Sequence, residues 1–368
     1  MKTIFAILFA IICLPLCAAE PTLADLIPGT WRGVHTASNN GYQHLINVQR
    51  QGGGFVGKGL TWSGMTEEQA MAATKGARTK MDYPKALCVQ QQFVITLAGD
   101  TVTFKGVAAQ DALNSKKYSP DNFSGKLVAP GFVGGEASDG KKSEGIFHLW
   151  KEEALKKPPT LELAKGQTLK LDCLDGGKYH YTCYIPKNYD PEKAVPVLIN
   201  FSPSGDGQPF CPKLAEESGW IMAGLTESKN GPVEPSYENR DAVLADMRRR
   251  FNVDAKHVYF SGFSGGARCA SESSLQLPGI CAGLILVGAS YAGVTPLKEL
   301  PIFFIAGETD MNRKEVEGAF ATAQKAGRST SFILHPGGHA WGREEDHEAA
   351  VKWMVQQAEG KPGDVKKK

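Results

Sequence analysis

The sequence predicts a two-domain protein, in which a mostly parallel α/β sheet domain follows a small antiparallel β-barrel or β-sandwich. Short alternating apolar and polar runs, separated by Gly, Asn and Asp, fill residues 20–151. Apolar strands then alternate with amphipathic helices across residues 167–360. Residues 152–166 include Lys156-Lys157-Pro158-Pro159 and predict a linker between the two patterns. The length of 368 residues suits two domains better than one core.

The N-terminal pattern predicts short antiparallel strands. Gly29-Thr30-Trp31-Arg32-Gly33 resembles the start of the first strand in small lipocalin-like or streptavidin-like barrels, where the Trp closes the barrel floor. Further strands are predicted at residues 42–48, 54–60, 93–97, 101–107 and 145–150. Gly52-Gly53-Gly54 and Gly99-Asp100 mark turns between them, and a helical pattern near residues 65–77 interrupts the series.

The C-terminal pattern predicts a sheet that helices cover on both faces. Its strands are predicted at residues 168–173, 179–185, 195–201, 219–225, 257–262, 282–288, 301–306 and 330–335. Helices are predicted at residues 239–251, 314–326 and 346–357. In the first helix, Val243, Met247 and Phe251 recur at helical spacing on one face, which predicts burial against the sheet.

The first residues have the pattern of an export signal. Lys2 precedes an apolar run at residues 4–16 that is too short to span a bilayer comfortably. The small residues Cys17-Ala18-Ala19 predict cleavage before Glu20, so residues 1–19 form the predicted signal peptide. We therefore expect a secreted or periplasmic protein, and no later segment has the length and apolarity of a membrane span.

Six cysteines remain after the predicted cleavage, and an even number in an oxidising compartment predicts disulfides. The pairs we expect are Cys173 with Cys183, across a turn at Asp175-Gly176-Gly177, and Cys269 with Cys281, across one helix-to-strand step. Buried free thiols are the alternative. No Cys or His spacing matches a zinc site, so the sequence predicts neither a metal nor a cofactor.

The charge pattern does not favour a nucleic-acid partner. The formal net charge is +2, and no long basic face is visible. Residues 361–368, which end in Lys366-Lys367-Lys368, are predicted to form a solvated basic tail. Oligomeric state leaves no signal in the sequence.

Gly262-Phe263-Ser264-Gly265-Gly266 is the motif that carries chemistry. It follows an apolar strand and precedes residues that can begin a helix, which is the context of a nucleophile elbow. The turn is so sharp that side chains at the flanking glycines would collide with the backbone. Gly288-Ala289-Ser290 also ends a strand but lacks the second glycine, so Ser264 is the predicted nucleophile.

A serine hydroxyl needs a base, and in this fold the chain order is Ser, acid, His. His339 follows Pro336-Gly337-Gly338 in a flexible loop, whereas His335 ends a strand, so His339 is the preferred base and His335 the alternative. Asp310 follows the penultimate strand and is the preferred acid, with Glu308 as the alternative. Asp310 could instead only cap the next helix.

The oxyanion requires two donors. One should be the amide of Gly265, directly after the nucleophile. The other should come from the loop Ser202-Pro203-Ser204-Gly205 after the strand at residues 195–201, and since Pro203 has no N–H, Ser204 is the expected donor. Phe210, Phe263 and Trp341 are candidates to line an acyl pocket, with ordinary packing as the alternative.

Residues 180–358 resemble the α/β-hydrolase superfamily, and within it the secreted esterases that include polyhydroxybutyrate depolymerases and feruloyl or acetylxylan esterases. Asn252-Val253-Asp254, the strand and elbow from His257 to Gly266, Gly307-Glu308-Thr309-Asp310 and Pro336-Gly337-Gly338-His339-Ala340-Trp341 carry this resemblance. It implies a metal-free enzyme that passes through an acyl-enzyme. The sequence departs from the family at Ser202-Pro203, where members usually have His-Gly.

The sequence thus predicts a serine hydrolase in which Ser264 attacks an ester, His339 moves the proton and Asp310 orients His339. The expected substrate is an ester-bearing small molecule, a polymer or its fragments. Two alternatives stay open: a peptidase or lactone hydrolase with the same triad, and a non-catalytic protein whose N-terminal domain binds a ligand beside a degenerate hydrolase scaffold.

Overall fold

The computed structural model describes residues 22–76, 85–114, 116–138, 143–155, 163–173, 178–290 and 300–360. The predicted signal peptide, the basic tail, the centre of the predicted linker and the turn at Asp175-Gly176-Gly177 lie outside these residues. Two β-sheets organise the described chain, one closed and one open.

The N-terminal sheet is a closed barrel of eight antiparallel strands, in which each strand pairs with the next and the last pairs with the first. The strands are β1 (Gly29–Ala37), β2 (Asn40–Gln51), β3 (Gly54–Ser63), β4 (Leu87–Ala98), β5 (Thr101–Asp111), β6 (Asn122–Ala129), β7 (Phe132–Ser138) and β8 (Ser143–Lys151). Trp31 of β1 lies opposite Ile46 on one side and Lys151 on the other, and this closure makes the domain a barrel and not a sandwich.

Aromatic side chains fill the barrel. Trp31 is fully buried among Phe93, Phe104 and Phe147, and its indole N–H donates to the carbonyl of Ile27 at 2.8 Å. Ile27 follows the short helix α1 (Leu23–Leu26), while α2 (Glu67–Thr74) begins after β3. Trp31 therefore packs in the barrel interior, as its position in the motif predicts.

Two neighbouring histidines are also buried in the barrel. The Nδ1 of His35 lies 2.5 Å from the Nε2 of His44, and the Nδ1 of His44 lies 3.0 Å from the hydroxyl of Thr61. Burial lowers the pKa of His35 to about 3, and burial together with the neighbouring His35 lowers the pKa of His44 well below its ordinary value. Both rings are therefore neutral at pH 7.

The second sheet has eight strands in the order β16-β15-β14-β13-β11-β12-β10-β9. They are β9 (Gln167–Asp172), β10 (His180–Ile185), β11 (Val195–Phe201), β12 (Ile221–Leu225), β13 (Val253–Phe263), β14 (Cys281–Val287), β15 (Ile302–Gly307) and β16 (Thr330–His335). From β12 to β16 all neighbours are parallel, and β9 and β10 add an antiparallel edge. All eight predicted strands are present, and the sheet is mostly parallel as predicted.

Helices cover both faces of this sheet. They are α4 (Pro212–Ser218), α5 (Glu234–Arg250), α6 (Gly265–Gln276), α7 (Arg313–Lys325) and α8 (Glu344–Ala358). Apolar residues of α5, α6 and α7 pack on one face, and those of α4 and α8 pack on the other. Helix α5 begins earlier than its apolar pattern predicts, because Pro235 fits the first helical turn, where no intrahelical N–H bond is lost.

The barrel is attached to α5 and α6 by buried polar groups. Asp241 of α5 accepts a hydrogen bond from Thr36 of β1 at 2.7 Å and pairs with the adjacent Arg240 at 2.8 Å. Gln276, at the end of α6, donates to the carbonyl of Asn39 at 2.9 Å. Val34, Phe132 and Trp150 of the barrel belong to the same apolar cluster as α5 and α6, so the junction is packed as well as hydrogen-bonded.

The predicted linker overlaps a short helix, α3 (Glu152–Leu155), which continues directly from β8. Glu152 forms an ion pair with Arg32 of β1, so the start of the predicted linker is part of the barrel.

The predicted disulfides are wrong, since none of the six cysteines among the described residues forms a disulfide, and all six are buried. Cys173 pairs through its backbone with Tyr179, which places Cys183 four residues further along β10, or about 13 Å away. Cys269 lies seven residues before the end of α6, about 10 Å along the helix, while Cys281 begins the following strand. Both separations exceed the reach of a disulfide, about 7 Å between Cα atoms.

No helix among the described residues is long and apolar enough to cross a bilayer. Within the same residues, no three His, Cys, Asp or Glu side chains cluster as metal ligands would.

Candidate active site

Three loops at the carboxyl edge of the parallel strands meet at the candidate site. Ser264 lies between β13 and α6, Asp310 follows β15, and His339 follows β16. Because β13, β15 and β16 are parallel members of one sheet, the loops after them lie on the same edge. This topology brings together residues that are 29 and 75 positions apart in the chain.

The backbone at Ser264 is strained. Its φ of 53° and ψ of −121° lie outside the regions that residues other than glycine normally occupy. A Cβ on Gly262 would lie 2.4 Å from the backbone carbon of Gly266, and one on Gly266 would lie 2.1 Å from the carbonyl oxygen of Phe201. Both flanking glycines are thus required by close backbone contacts, as the elbow motif predicts.

The three predicted triad side chains form a continuous hydrogen-bonded chain. The Oγ of Ser264 lies 2.8 Å from the Nε2 of His339. The Nδ1 of His339 lies 2.9 and 3.0 Å from the two carboxylate oxygens of Asp310. Since a carboxylate only accepts, Nδ1 carries the proton, and Nε2 is left to accept the hydroxyl proton of Ser264. The Asp310 side chain is fully buried, and that of His339 is 20% exposed.

Backbone contacts hold the acid loop against the histidine loop. The amide of Glu308 donates to the carbonyl of His335, and the amide of Thr309 donates to the carbonyl of Gly337, both at 2.9 Å. A Cβ on Gly307 would lie 2.2 Å from the carbonyl oxygen of Gly338, so this close approach requires glycine. The positions of Asp310 and His339 are therefore set by the same pair of loops.

The structure brings neither alternative residue into the chain of hydrogen bonds. His335 is buried and its Nδ1 hydrogen-bonds the carbonyl of Pro336, while its Nε2 has no hydrogen-bond partner among the described residues. Glu308 is exposed. Asp310 also accepts a hydrogen bond from the amide of Asn312 at 2.7 Å, just before α7 begins. Its carboxylate keeps the hydrogen bonds to His339 as well.

The loop after β11 is arranged differently from the prediction. The amide of Ser204 donates to the Oγ of Ser202 at 3.2 Å, and the two hydroxyls are 2.9 Å apart. The hydroxyl of Ser204 also donates to Asp206 at 2.8 Å. Burial raises the pKa of Asp206, but hydrogen bonds from these two hydroxyls and from nearby amides outweigh it, so the pKa is lowered. The predicted donor, the Ser204 amide, is thus directed at Ser202.

A second loop, which the sequence did not single out, lies beside the nucleophile. Asn230 follows β12, and a Cβ on Gly265 would lie only 1.9 Å from its Oδ1. The amide of Asn230 donates to the carbonyl of Pro203 at 2.8 Å. The signal that could have found it is the turn sequence Asn230-Gly231-Pro232 after a buried strand that ends at the same edge as β13.

Aromatic rings flank His339. The ring of Phe263 lies 4.7 Å from that of His339 and 5.0 Å from that of Trp341, and both aromatic side chains are partly exposed. Phe210 is buried beneath them against His347, so it supports the cluster and does not line a cleft. His347 is half-buried, and its Nε2 donates to the carbonyl of Trp341 at 2.6 Å. Burial lowers the pKa of His347.

Comparison with known proteins gives distant similarity to esterases. No protein-family model matches the chain. A stretch of 118 residues is 27% identical to the bifunctional acetylxylan esterase/xylanase of Neocallimastix patriciarum, and it covers 28% of this chain and 17% of that protein. The chain therefore spans less than a fifth of the length of this curated relative.

Solved structures with local similarity include other esterases. A ferulic acid esterase is 16% identical, with 52% of this chain and 98% of that chain covered and a TM-score of 0.41. The hyperthermophilic esterase of Pyrobaculum calidifontis is 15% identical, with coverage of 56% and 86% and a TM-score of 0.41. An esterase of Rhizomucor miehei is 15% identical, with coverage of 57% and 86% and a TM-score of 0.42.

Proposed function

We propose that this protein is a serine hydrolase of the α/β-hydrolase type that cleaves carboxylic esters through an acyl-enzyme. The observation that carries the proposal is the hydrogen-bonded chain from Ser264 through His339 to the buried Asp310. The strained elbow supports it, because such strain persists where function requires an exposed nucleophile. A structural serine needs neither feature.

The arrangement supplies each step of ester hydrolysis. The Oγ of Ser264 attacks the carbonyl carbon while the Nε2 of His339 takes the hydroxyl proton. Asp310 stabilises the imidazolium that forms, and the amide of Gly265 donates to the oxyanion. The alcohol leaves with the proton from His339. Water then attacks the acyl-enzyme and gives a proton to the Nε2 of His339. The bond between the acyl carbon and the Oγ of Ser264 breaks, the carboxylic acid leaves, and His339 returns the proton to Oγ.

We further propose that the acyl group is apolar and lies along Phe263 and Trp341, and that the natural esters belong to an extracellular polymer or its fragments. The partly exposed rings beside His339 support the first part. The predicted export signal supports the second. The acyl preference is tested by measuring hydrolysis rates for p-nitrophenyl acetate, butyrate and octanoate in the wild type and in Trp341→Ala.

The decisive experiment is labelling by a fluorophosphonate together with turnover of p-nitrophenyl butyrate. We expect Ser264→Ala to abolish labelling, and Ser264→Ala and His339→Ala each to lower turnover by several orders of magnitude. Ser290→Ala is the matched control, because Ser290 also follows a parallel strand of the same sheet, β14. It should keep both signals.

Three outcomes would contradict the proposal. A wild-type protein that neither labels nor turns over esters would favour the non-catalytic scaffold. Labelling that persists in Ser264→Ala would exclude this nucleophile. Cleavage of peptide substrates at rates above those of esters would favour a peptidase.

The cellular location is part of the proposal. If residues 1–19 are removed on export, the protein recovered outside the cytoplasm should begin at Glu20, and its intact mass should show this. Recovery of the protein in the cytoplasm with Met1 retained would contradict export.

A further inference from the structure

The oxyanion site lacks the second backbone donor that the sequence predicts. The Ser204 N–H points at the Ser202 hydroxyl, and Ser202 is itself fixed because its carbonyl accepts from Ser228 Oγ at 3.0 Å. Ser202 is 1% exposed, so the acceptor of this hydrogen bond is buried, while Ser204 itself is exposed. A different group must therefore accompany the Gly265 amide if two donors bind the oxyanion.

Asn230 is held where such a group is needed. Its backbone amide donates to the carbonyl of Pro203, and the neighbouring Lys229 forms a β-bridge with Ser204, so the two loops are joined. The Asn230 carboxamide then lies against Gly265: a Cβ there would be 1.9 Å from Oδ1 and 3.1 Å from Cγ. A larger residue after the nucleophile would have to displace this side chain.

The carboxamide is also free to act. Asn230 is exposed, and within the described ranges no hydrogen bond engages its side chain. Rotation about the Cβ–Cγ bond exchanges Oδ1 and Nδ2, so the amide can present its N–H to an anion formed beside Gly265. Asn and Gln side chains serve as oxyanion donors in acyl transfer.

The geometry points to the Asn230 carboxamide as the side-chain donor that completes the oxyanion hole with the backbone amide of Gly265. This inference rests on the proposed ester hydrolysis at Ser264 and adds the residue that stabilises its tetrahedral intermediate. Since the contact forms only when negative charge develops, losing it should lower kcat by about 10²–10³ and leave KM nearly unchanged.

Two substitutions of Asn230 and one control test this directly. Asn230→Ala removes the donor, and Asn230→Asp keeps the shape but has no N–H, so both should show the loss in kcat for p-nitrophenyl butyrate. Lys229→Ala, at the exposed neighbouring position, should keep the wild-type kcat. An unchanged melting temperature in each variant shows that the loss does not come from unfolding.

Gly265→Ala provides an independent test of position. The added methyl group would displace the Asn230 carboxamide but retain the Gly265 N–H, and the φ of Gly265 is not in the left-handed region. If Asn230 is the donor, Gly265→Ala should lower kcat in the wild type and have little further effect in Asn230→Ala.

The outcomes separate the two proposals. A kcat of Asn230→Ala within about threefold of the wild type would overturn the role of Asn230 while leaving ester hydrolysis at Ser264 intact. Equal losses from Gly265→Ala in both backgrounds would also overturn it. A wild-type protein without Ser264-dependent turnover would overturn the proposed function and this inference together.

Discussion

Arg240 lies at the junction between the barrel and the second domain, and its side chain is completely buried. It donates to Asp241 at 2.8 Å, to Ser273 at 2.9 Å, to Gln276 at 3.0 Å and to Thr36 at 3.3 Å. Burial raises the pKa of Asp241, while Arg240 and Thr36 oppose that rise by stabilising the carboxylate. Arg240 is thus the cation that makes a buried carboxylate tolerable at this interface.

Arg240→Met removes the cation and leaves Asp241, also fully buried, with the hydroxyl of Thr36 as its remaining partner in this network. Breaking one side of a buried ion pair costs about 3–5 kcal/mol, so we expect a loss of that size in the free energy of unfolding. In the double variant Arg240→Met/Asp241→Leu, both charges of the buried ion pair are removed. The remaining loss comes from unpaired polar groups such as Ser273, each about 1 kcal/mol, so the double variant should recover part of the stability.

Urea unfolding followed by both tryptophan fluorescence and far-UV circular dichroism measures these differences, provided that the two transitions coincide. Arg248→Met is the matched control, because Arg248 lies on the same helix and packs on Trp150 without a carboxylate partner. It should cost much less than Arg240→Met. Equal losses in the two single variants, or a double variant less stable than Arg240→Met, would refute the reasoning.

Two further predictions concern the triad and the buried histidines. Asp310→Asn should lower kcat by about 10⁴ with little change in stability, because the imidazole loses the partner that sets its tautomer; a loss below tenfold in p-nitrophenyl ester turnover would contradict this. Burial lowers the pKa of His148 to about 4 and holds those of His35 and His44 low, so below pH 6.5 these groups bind protons only in the unfolded state. Stability should therefore fall as pH falls from 6.5 toward 4, by about 1.4 kcal/mol per pH unit for each histidine. Urea unfolding at pH 7, 6 and 5 measures this slope of stability against pH. His148→Gln should reduce the slope by the contribution of one histidine, about 1.4 kcal/mol per pH unit. Equal stability at all three pH values would contradict the prediction.

The elbow and its partner loops could be predicted because their signals are local. Gly262 is needed by a backbone contact with Gly266 inside the same turn, and Gly266 by a contact with Phe201 of the adjacent strand β11. Both glycines stand two residues from Ser264, so these steric needs leave a short motif in the sequence. Asp310 and His339 follow apolar strands, and parallel strands bring their carboxyl ends to one edge whatever the sequence distance between them.

Other features could not be predicted because they depend on contacts between distant segments. The strands β6 and β7 were missed because Gly125, Gly134 and Gly135 interrupt the apolar alternation. The disulfide prediction failed because it used spacing in the chain, while strand register separates Cys173 from Cys183. The absence of an N–H on Pro203 makes Ser204 the expected second oxyanion donor, but the direction of the Ser204 N–H depends on the side chain of Ser202.

The junction also explains why the barrel matters to the candidate site whether or not it binds a ligand. Helix α6 begins beside Ser264 and ends at Gln276, whose carbonyl accepts from the amide of Gly64 and the hydroxyl of Ser63 of the barrel. The last carbonyls of a helix have no partners within it, and here the barrel provides donors for that of Gln276. Removal of the barrel would expose this carbonyl and also Arg240 and Asp241, so the helix that supports the elbow depends on the N-terminal domain for its far end. The two domains therefore form a single structural unit around the site, despite the change in pattern between them.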